Sequence, residues 1–343
     1  MLMSTSKVIY PVIVIGLLII IPVAGVHVFS LYSFFGIVIP YSAFVFFICA
    51  LIYRIIVWAK SPQPFCIPTV CGQQKSLPWI KSNNTESPST PWGVIKRTAL
   101  EILLFRSLFR YDRVSIEGKE RLVYHEGKLL WLGGLLFHWS LVVIILRHLR
   151  FFMEPTPSWI LILQKIDSPF EFLIPSLFVT DMLIIIALLY LLLRRLISPR
   201  IRYISLPSDY FSLYLIGAIL VTGIIMRYIY SVDLLEMKKF TMGLISLHPF
   251  VSTKLSTFFY CHLFLVSIFL AYIPMSKIAH MAGVFLSPTR NLMNISRMKR
   301  YINPWNYPVK VHTYEEWEDE FRDAMKEAGL PLEKEQQEII TKR

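Results

Sequence analysis

Four histidines lie in two stretches of the chain that are otherwise strongly apolar: His138, His148, His262 and His280. The first two are ten residues apart within 131–153, and the last two are eighteen residues apart within 258–281. Ionisable side chains inside a membrane segment are costly, so each one is a candidate functional group. Neutral imidazoles suit zinc, copper and iron. The pattern indicates two bis-histidine sites for a metal or a haem, stacked across a membrane.

The composition is that of a multi-pass membrane protein. Of the 343 residues, 55% are hydrophobic and 17% are charged, whereas soluble domains average about 25% charged residues. The net charge of +12 lies mostly beside the apolar stretches, which argues against nucleic-acid binding. The cysteine spacings match neither a zinc knuckle nor an iron–sulfur cluster. No CxxCH motif is present, so covalently attached c-type haem is excluded.

Six apolar runs are long enough to cross a bilayer: residues 8–29, 33–58, 129–152, 173–196, 209–230 and 254–278. Lys and Arg are concentrated in 59–128, in 194–202 and after the last run. Positive residues mark cytoplasmic loops. We therefore predict a protein of the cytoplasmic membrane with both termini and the long loop in the cytoplasm. The first run has no small-residue cleavage site after it and is interpreted as a retained helix.

The direction of the spans decides which histidines pair. The third span runs outward and the last runs inward, so the predicted pairs are His138 with His280 (inner) and His148 with His262 (outer). At 1.5 Å per residue, the first two histidines are about 15 Å apart along a straight helix and the last two about 27 Å. A bend at Pro274 or tilted haems would absorb the difference.

Histidines in pairs favour haem over zinc. Zinc sites usually take three or four protein ligands, whereas a haem iron needs only two axial ligands, because the porphyrin supplies the other four. Gly133 and Gly134 are expected to leave room for the flat macrocycle. Arg147 and Arg150 flank His148 and either pair with haem propionates or extend to lipid headgroups.

These patterns predict an all-α membrane protein with six transmembrane helices, an N-terminal two-helix hairpin followed by a four-helix di-haem bundle. Four domains are predicted: a transmembrane hairpin (1–58), a cytoplasmic loop with an amphipathic segment (59–128), a cytochrome b domain (129–300) and a cytoplasmic tail (301–343).

Two segments outside the predicted spans are polar and are not expected to cross the membrane. Residues 59–98 are rich in Pro, Ser, Asn and Gln and predict a loop, and 94–126 predict an amphipathic helix followed by a surface strand or helix. In the tail, Thr313 and Glu316 have capping-box spacing at the start of an acidic helix that ends near Gly329. This helix is either a solvated surface element or a docking element for a cytoplasmic partner.

The segments LFHWSLVVIILRHLRFF and CHLFLVSIFLAYIPMSKIAH resemble the haem-binding helices of the respiratory nitrate reductase gamma subunit (NarI-like) family. The resemblance covers roughly residues 125–300. It implies a four-helix cytochrome b domain with two b-type haems, in which the inner and outer histidine pairs are the axial ligands.

The segment WAKSPQPFCIPTVCGQQKSLPWIK, residues 58–81, narrows the resemblance to DsrM-type cytochrome b subunits of membrane complexes associated with dissimilatory sulfite reduction. The resemblance implies electron exchange between menaquinol or menaquinone and a cytoplasmic DsrK-like iron–sulfur subunit similar to heterodisulfide reductase. Other membrane and periplasmic redox subunits would complete the complex. Cytochrome b subunits of heterodisulfide reductases and of periplasmic-cytochrome complexes share the core and stay open as alternatives.

The quinone is expected between the outer histidine pair and the 153–172 loop. Lys165 is the candidate quinone contact, with Asp167 and Glu171 nearby, and a solvated loop charge is the competing interpretation. His27, near the outer end of the first span, is a further polar group at this boundary.

Two functions of other classes stay open at this point. A proton-coupled transporter would use the histidines as a proton path, and a structural anchor would carry them incidentally. The sequence contains no obvious repeated halves or paired broken helices of the kind found in many transporters. A b-type reduced-minus-oxidised spectrum would separate a cytochrome from both.

Overall fold

A computed structural model describes residues 2–61, 72–110, 113–117, 121–125, 127–169, 176–287, 291–298 and 311–333. These residues are mainly helical. The helices are α1 Leu2–His27, α2 Ile39–Lys60, α3 Pro91–Leu104, α4 Arg106–Arg110, α5 Lys128–His148, α6 Ser158–Asp167, α7 Val179–Ile197, α8 Pro199–Ile204, α9 Pro207–Ile224, α10 Leu234–Ile245, α11 Thr257–Tyr272, α12 His280–Leu286 and α13 Tyr314–Glu327.

One antiparallel hairpin stands out among these helices. Strand β1, Arg113–Glu117, pairs with β2, Arg121–His125, in a register that places Ser115 opposite Val123. The hairpin and the preceding α3 and α4 confirm the helix and surface strand predicted within 94–126. The predicted loop ends earlier than expected, because Thr90 accepts a hydrogen bond from the Gly93 amide and starts α3 at Pro91. Cys66 and Cys71 lie outside the described residues.

Five helical segments of the described chain are long and apolar enough to cross a membrane: Ser6–His27, Phe34–Lys60, Lys128–Phe151, Pro207–Ile229 and Thr257–Met275. They match five of the six predicted spans. The remaining one, 173–196, corresponds to α7, which contains Asp181, Arg194 and Arg195 within 19 residues and is not among the five. Its first three predicted residues fall outside the described chain.

Close backbone packing joins α5 to α7, α7 to α9 and α9 to α11. The first of these helices carries His138 and His148, and the last carries His262, so the histidine-bearing helices are the two ends of this series. The N-terminal hairpin adds to the same body, because α1 packs on α9 and α11, and α2 packs on α11. Phe35, Phe259 and Phe264 are buried where the hairpin meets α11.

The last span is bent between its two histidines. The α-helical part of α11 ends at Tyr272, because Pro274 lacks the amide hydrogen that a continuing helix needs. Ser276 then adopts an extended backbone with φ −113° and ψ 178°, and α12 begins at His280. The carbonyl oxygen of Pro274 accepts a 2.5 Å hydrogen bond from Arg54 of α2. The predicted bend is confirmed, so the straight-helix spacing of the last two histidines does not apply.

The acidic tail helix is confirmed as predicted. Thr313 accepts a hydrogen bond from the Glu316 amide, and the Glu316 carboxylate accepts one from the Thr313 amide, which is the reciprocal capping box. The helix ends just before Gly329, whose φ of +69° is a left-handed conformation that glycine adopts without a Cβ penalty.

Gly133 serves helix packing rather than the macrocycle expected there. A Cβ at Gly133 would lie 2.6 Å from Cδ1 of the Tyr190 ring, whereas a Cβ at Gly134 would approach Leu108 no closer than 3.7 Å. The absence of a side chain at Gly133 lets the Tyr190 ring of α7 lie directly on α5. This close approach accounts for the glycine without any ligand.

Gly133→Ala should therefore destabilise the bundle, since the Tyr190 ring must move out of its position. We expect the free energy of unfolding in detergent to fall by about 1–3 kcal/mol, the usual range for overpacking. Gly134→Ala is the matched control and should be neutral or slightly stabilising, because the new methyl group has room and alanine favours helix. Equal losses in the two variants would contradict the packing role of Gly133.

Candidate functional site

The inner histidine pair is assembled across the bend. His138 comes from the middle of α5 and His280 from the first residue of α12, and their ring centroids are 6.1 Å apart. Two imidazoles that coordinate one ion at about 2 Å from opposite sides have ring centroids about 6 Å apart. The rings of Phe105 and Phe137 lie edge-on to His138, with centroids 5.0 and 5.3 Å away. The predicted partners therefore meet.

The outer pair joins the end of α5 to α11. The two residues of this predicted pair lie on different helices, His148 on α5 and His262 on α11. His148 is the last residue of α5, and its ring lies 6.0 Å from that of Phe151. His262 lies one turn inside α11, beside α9, where a Cβ on Gly223 would be 3.4 Å from its Cε1 atom. The structure therefore brings the predicted inner pair together, and the pairing of His148 with His262 stays a prediction.

In all four histidines the Nδ1 atom is engaged in a hydrogen bond. The acceptors are the carbonyl oxygens of Gly134 for His138 (2.8 Å), Ile144 for His148 (2.7 Å) and Lys277 for His280 (3.0 Å), and the hydroxyl of Thr222 for His262 (2.9 Å). A carbonyl oxygen only accepts, so in His138, His148 and His280 the proton is on Nδ1 and the lone pair on Nε2. Within the described residues, no hydrogen bond reaches any of the four Nε2 atoms. This is the arrangement of metal-binding histidines.

The donor set suits haem better than a bare metal ion. Among the described residues, no group of three or more His, Cys, Asp or Glu side chains could hold a metal. Each site offers two imidazole nitrogens, which is the number of axial ligands that a haem iron takes. The residues present therefore fit two bis-histidine haem sites.

Arg147 belongs to a buried ion-pair network. Its guanidinium lies 2.5 Å from an Asp181 oxygen and 3.1 Å from an Asp167 oxygen, with 7% of the side chain exposed. Asp181 also accepts a hydrogen bond from the Tyr228 hydroxyl, and Asp167 accepts two from Thr180. These contacts tie α5, α6, α7 and the end of α9 together. Arg147, predicted as a propionate contact, has protein carboxylates as partners here.

Three arginines gather around this network. The guanidinium carbons of Arg147 and Arg227 lie 3.7 and 3.9 Å from the ring centroid of Phe178, a cation–π contact with both cations. Arg227 also donates to the Ser176 carbonyl oxygen. Arg150 lies over Phe151 at 4.6 Å, and no carboxylate pairs with it among the described residues. Arg150 therefore has no protein anion beside it in the described chain and is available to an anionic ligand.

The remaining predicted site residues differ in their surroundings. The 153–172 loop contains α6, where Lys165 is exposed and Asp167 is buried in the Arg147 network. Glu171 lies outside the described residues. His27 is exposed at the end of α1 and lines an apolar groove with Ile19 and Val23.

Asp181, Tyr228 and Thr222 also lie at this end of the bundle and were not predicted from the sequence. Asp181 gave a signal, being a carboxylate near the start of an apolar run. Tyr228 and Thr222 are ordinary in a membrane helix, and only the three-dimensional packing shows their partners.

Arg147→Met should be strongly destabilising, because it leaves Asp167 and Asp181 buried without their cation. Breaking a buried pair in this way costs about 3–5 kcal/mol, measured as the free energy of unfolding in detergent. Arg150→Met is the matched control and should cost about 1 kcal/mol or less, since no ion pair is lost. A loss of similar size in both variants would contradict the structural role of Arg147.

Comparison with known proteins shows the family of this chain. Residues 89–299 match the nitrate reductase gamma subunit family. An "Hdr-like menaquinol oxidoreductase cytochrome b-like subunit" of Archaeoglobus fulgidus is 42% identical over 279 residues, covering 79% of this chain and 83% of the relative. A protein of the same description from Archaeoglobus profundus is 39% identical over 284 residues, covering 81% and 83%. The chain is a multi-pass membrane protein that belongs to the nitrate reductase gamma subunit family of membrane cytochromes b.

Proposed function

We propose that this protein is a di-haem cytochrome b that exchanges electrons between a menaquinone pool on the outer side and an iron–sulfur subunit on the cytoplasmic side. His138 and His280 would hold the inner haem b, and His148 and His262 the outer one. The observation that carries the proposal is the set of four Nε2 atoms, arranged in two pairs and without another hydrogen-bond partner in the described chain. When bound, haem supplies one-electron transfer at each level.

The chain's own residues prepare these sites. Each Nδ1 hydrogen bond fixes the ring orientation and raises the basicity of the ligand nitrogen. The rings of Phe105 and Phe137 give the inner site an apolar wall on the side of His138. A proton-coupled transporter would need its histidines to hand protons on, and carbonyl acceptors on three of the four Nδ1 atoms oppose that role.

We propose that the chain has six transmembrane helices, of which α7 is the fourth, and that both termini lie in the cytoplasm. Asp181 and the two C-terminal arginines of α7 lie at opposite ends of its 19 residues. They would therefore sit near the two membrane surfaces. Lys and Arg are concentrated in residues 59–128 and 194–202 and after the last span. They support a cytoplasmic location for the end of the bundle that carries His138 and His280.

The quinone is proposed at the outer pair, beside α6. The relatives' descriptions as menaquinol oxidoreductase subunits support menaquinone as the substrate. Lys165 is exposed on α6, and no carboxylate pairs with it among the described residues, so it remains the proposed quinone contact. Arg150 is proposed to bind a propionate of the outer haem, with Arg147 holding the surrounding carboxylates.

The partner is proposed to be a heterodisulfide-reductase-like iron–sulfur subunit of the DsrK type that docks on the tail helix α13. Tyr314, Trp317 and Phe321 form a continuous aromatic row, with ring centroids 5.9 and 5.6 Å apart and about 42–47% of each residue exposed. The spacing i, i+3, i+7 is that of a helix that binds in an apolar groove.

The charge of α13 favours a protein partner over the lipid surface. The helix carries seven carboxylates against two basic residues, Arg322 and Lys326. Helices that lie on membranes carry Lys and Arg on the polar face, because the inner leaflet is anionic. An apolar groove with a basic rim is therefore the complementary surface. Sulfite or sulfur respiration is the proposed setting, supported by the resemblance of residues 58–81. Other redox subunits in the membrane and periplasm are proposed to complete the complex.

Substituting His148 or His262 by Ala should halve the haem content per chain, because each outer ligand is lost without touching the inner pair. The same result is expected for His138 and His280 with respect to the inner haem. The measurement is a pyridine haemochrome assay together with the reduced-minus-oxidised spectrum. His248→Ala, in a loop outside the pairs, is the control. Full haem content in all four ligand variants would overturn the assignment.

Replacing both Trp317 and Phe321 by Ala should weaken binding of the iron–sulfur subunit. Aromatic anchors of an interface are worth about 2 kcal/mol or more, which is roughly 30-fold in the dissociation constant. The haem content should not change. Trp159→Ala, a similarly exposed residue on α6, is the matched control and should bind normally. Unchanged affinity in the double variant would exclude α13 as the docking element.

A further inference from the structure

We infer that Thr222 is a positioning residue for His262 and sets the reduction potential of the outer haem through its hydroxyl group. This inference rests on the proposed function, because it takes the outer histidine pair to hold a haem. It assigns to α9, which contributes no ligand, a defined part in the outer site.

The four ligand candidates are not held in the same way. His138 and His148 each donate from Nδ1 to a carbonyl oxygen four residues earlier in their own helix, and His280 donates to the carbonyl oxygen of Lys277. His262 is the one of the four that bonds to a side chain of another helix, the Thr222 hydroxyl at 2.9 Å, and the backbone of Ile219 on that helix is a second hydrogen-bond partner. Its orientation therefore depends on how α9 packs against α11.

The hydroxyl of Thr222 has a defined direction. Its oxygen also lies 3.0 Å from the Ala218 carbonyl oxygen and 2.9 Å from that of Ile219. A hydroxyl has one proton, which points to these carbonyls, so a lone pair of the oxygen faces His262. The proton between the two side chains is then on Nδ1, which leaves Nε2 as the ligand atom. Thr222 is 6% exposed, so water does not compete for this hydrogen bond.

The neighbouring residue makes the contact possible. Gly223 has no side chain, and a Cβ there would lie 3.4 Å from Cε1 and 3.9 Å from Nδ1 of His262. The imidazole therefore rests on the backbone of α9 at this point. Immediately afterwards α9 widens into a π-helical turn, Ile225–Ile229, and such turns are frequent at functional sites. Thr222 and Gly223 together fix the position of the ring.

The hydrogen bond affects the electronic character of the ligand. Donation from Nδ1 raises the basicity of Nε2, which favours the oxidised iron and lowers the reduction potential. The hydroxyl is polarised by its own donation to a carbonyl oxygen, which strengthens the hydrogen bond from the histidine. Removing the hydroxyl should shift the potential of the outer haem to a more positive value. The inner haem, whose ligands use backbone acceptors, should not respond.

The test is a redox titration of the purified, haem-loaded protein, comparing Thr222→Val with Thr222→Ser. Valine keeps the shape of threonine and removes the hydroxyl, whereas serine keeps the hydroxyl. In the valine variant we expect one of the two potentials to rise by up to 59 mV, which is a tenfold change in the relative stability of the two iron states. The serine variant should titrate like the parent protein. A second titration in the His138→Ala background, which retains only the outer haem, identifies the haem that shifts.

Each outcome bears on the inference. Loss of the outer haem from the valine variant alone, with the inner haem retained, supports the positioning role as strongly as a shift does. Identical potentials and haem content in the parent and valine proteins overturn the inference and leave the proposed function intact. Equal changes in the valine and serine variants overturn it as well, because the hydroxyl is then not responsible. A parent protein that binds no haem overturns the proposed function, and this inference with it.

Discussion

A histidine in an apolar helix needs a hydrogen-bond partner for its ring N–H, because an unpaired polar group is costly there. In this protein that requirement is met four times at Nδ1, by a carbonyl oxygen three or four residues earlier or by the Thr222 hydroxyl. The bend at Pro274 then brings the rings of His280 and His138 to 6.1 Å between centroids. A straight helix would place His280 too far from His138.

The charged side chains near His148 and those near His280 differ in their burial. Around His148, Arg147 is balanced by Asp167 and Asp181, so charges that would be costly in an apolar setting are paired. Near His280, the exposed Lys277 pairs at 2.8 Å with Asp209, whose side chain is only 9% exposed.

The approach of His138 and His280 could be predicted from the sequence because it needs only helix direction and spacing. The capping box of α13 and the bend at Pro274 also depend only on residues that are close together in the sequence, and both are confirmed. The partners of Arg147 could not be predicted, since Asp181 is 34 residues away and reaches it only after α5 and α7 pack. Gly133 was misinterpreted for the same reason, because nothing near it in the sequence indicates that Tyr190 lies against it. Thr222 resembles any threonine of a membrane helix until α9 and α11 are side by side.

The most direct test of this account is low-temperature electron paramagnetic resonance of the oxidised, purified protein. Two bis-histidine sites predict that all haem iron is six-coordinate and low-spin, in two distinguishable environments. They also predict that one low-spin signal disappears when a single member of either histidine pair is replaced. High-spin iron as the main signal of the unsubstituted protein, or a correctly folded protein without haem, would contradict the account.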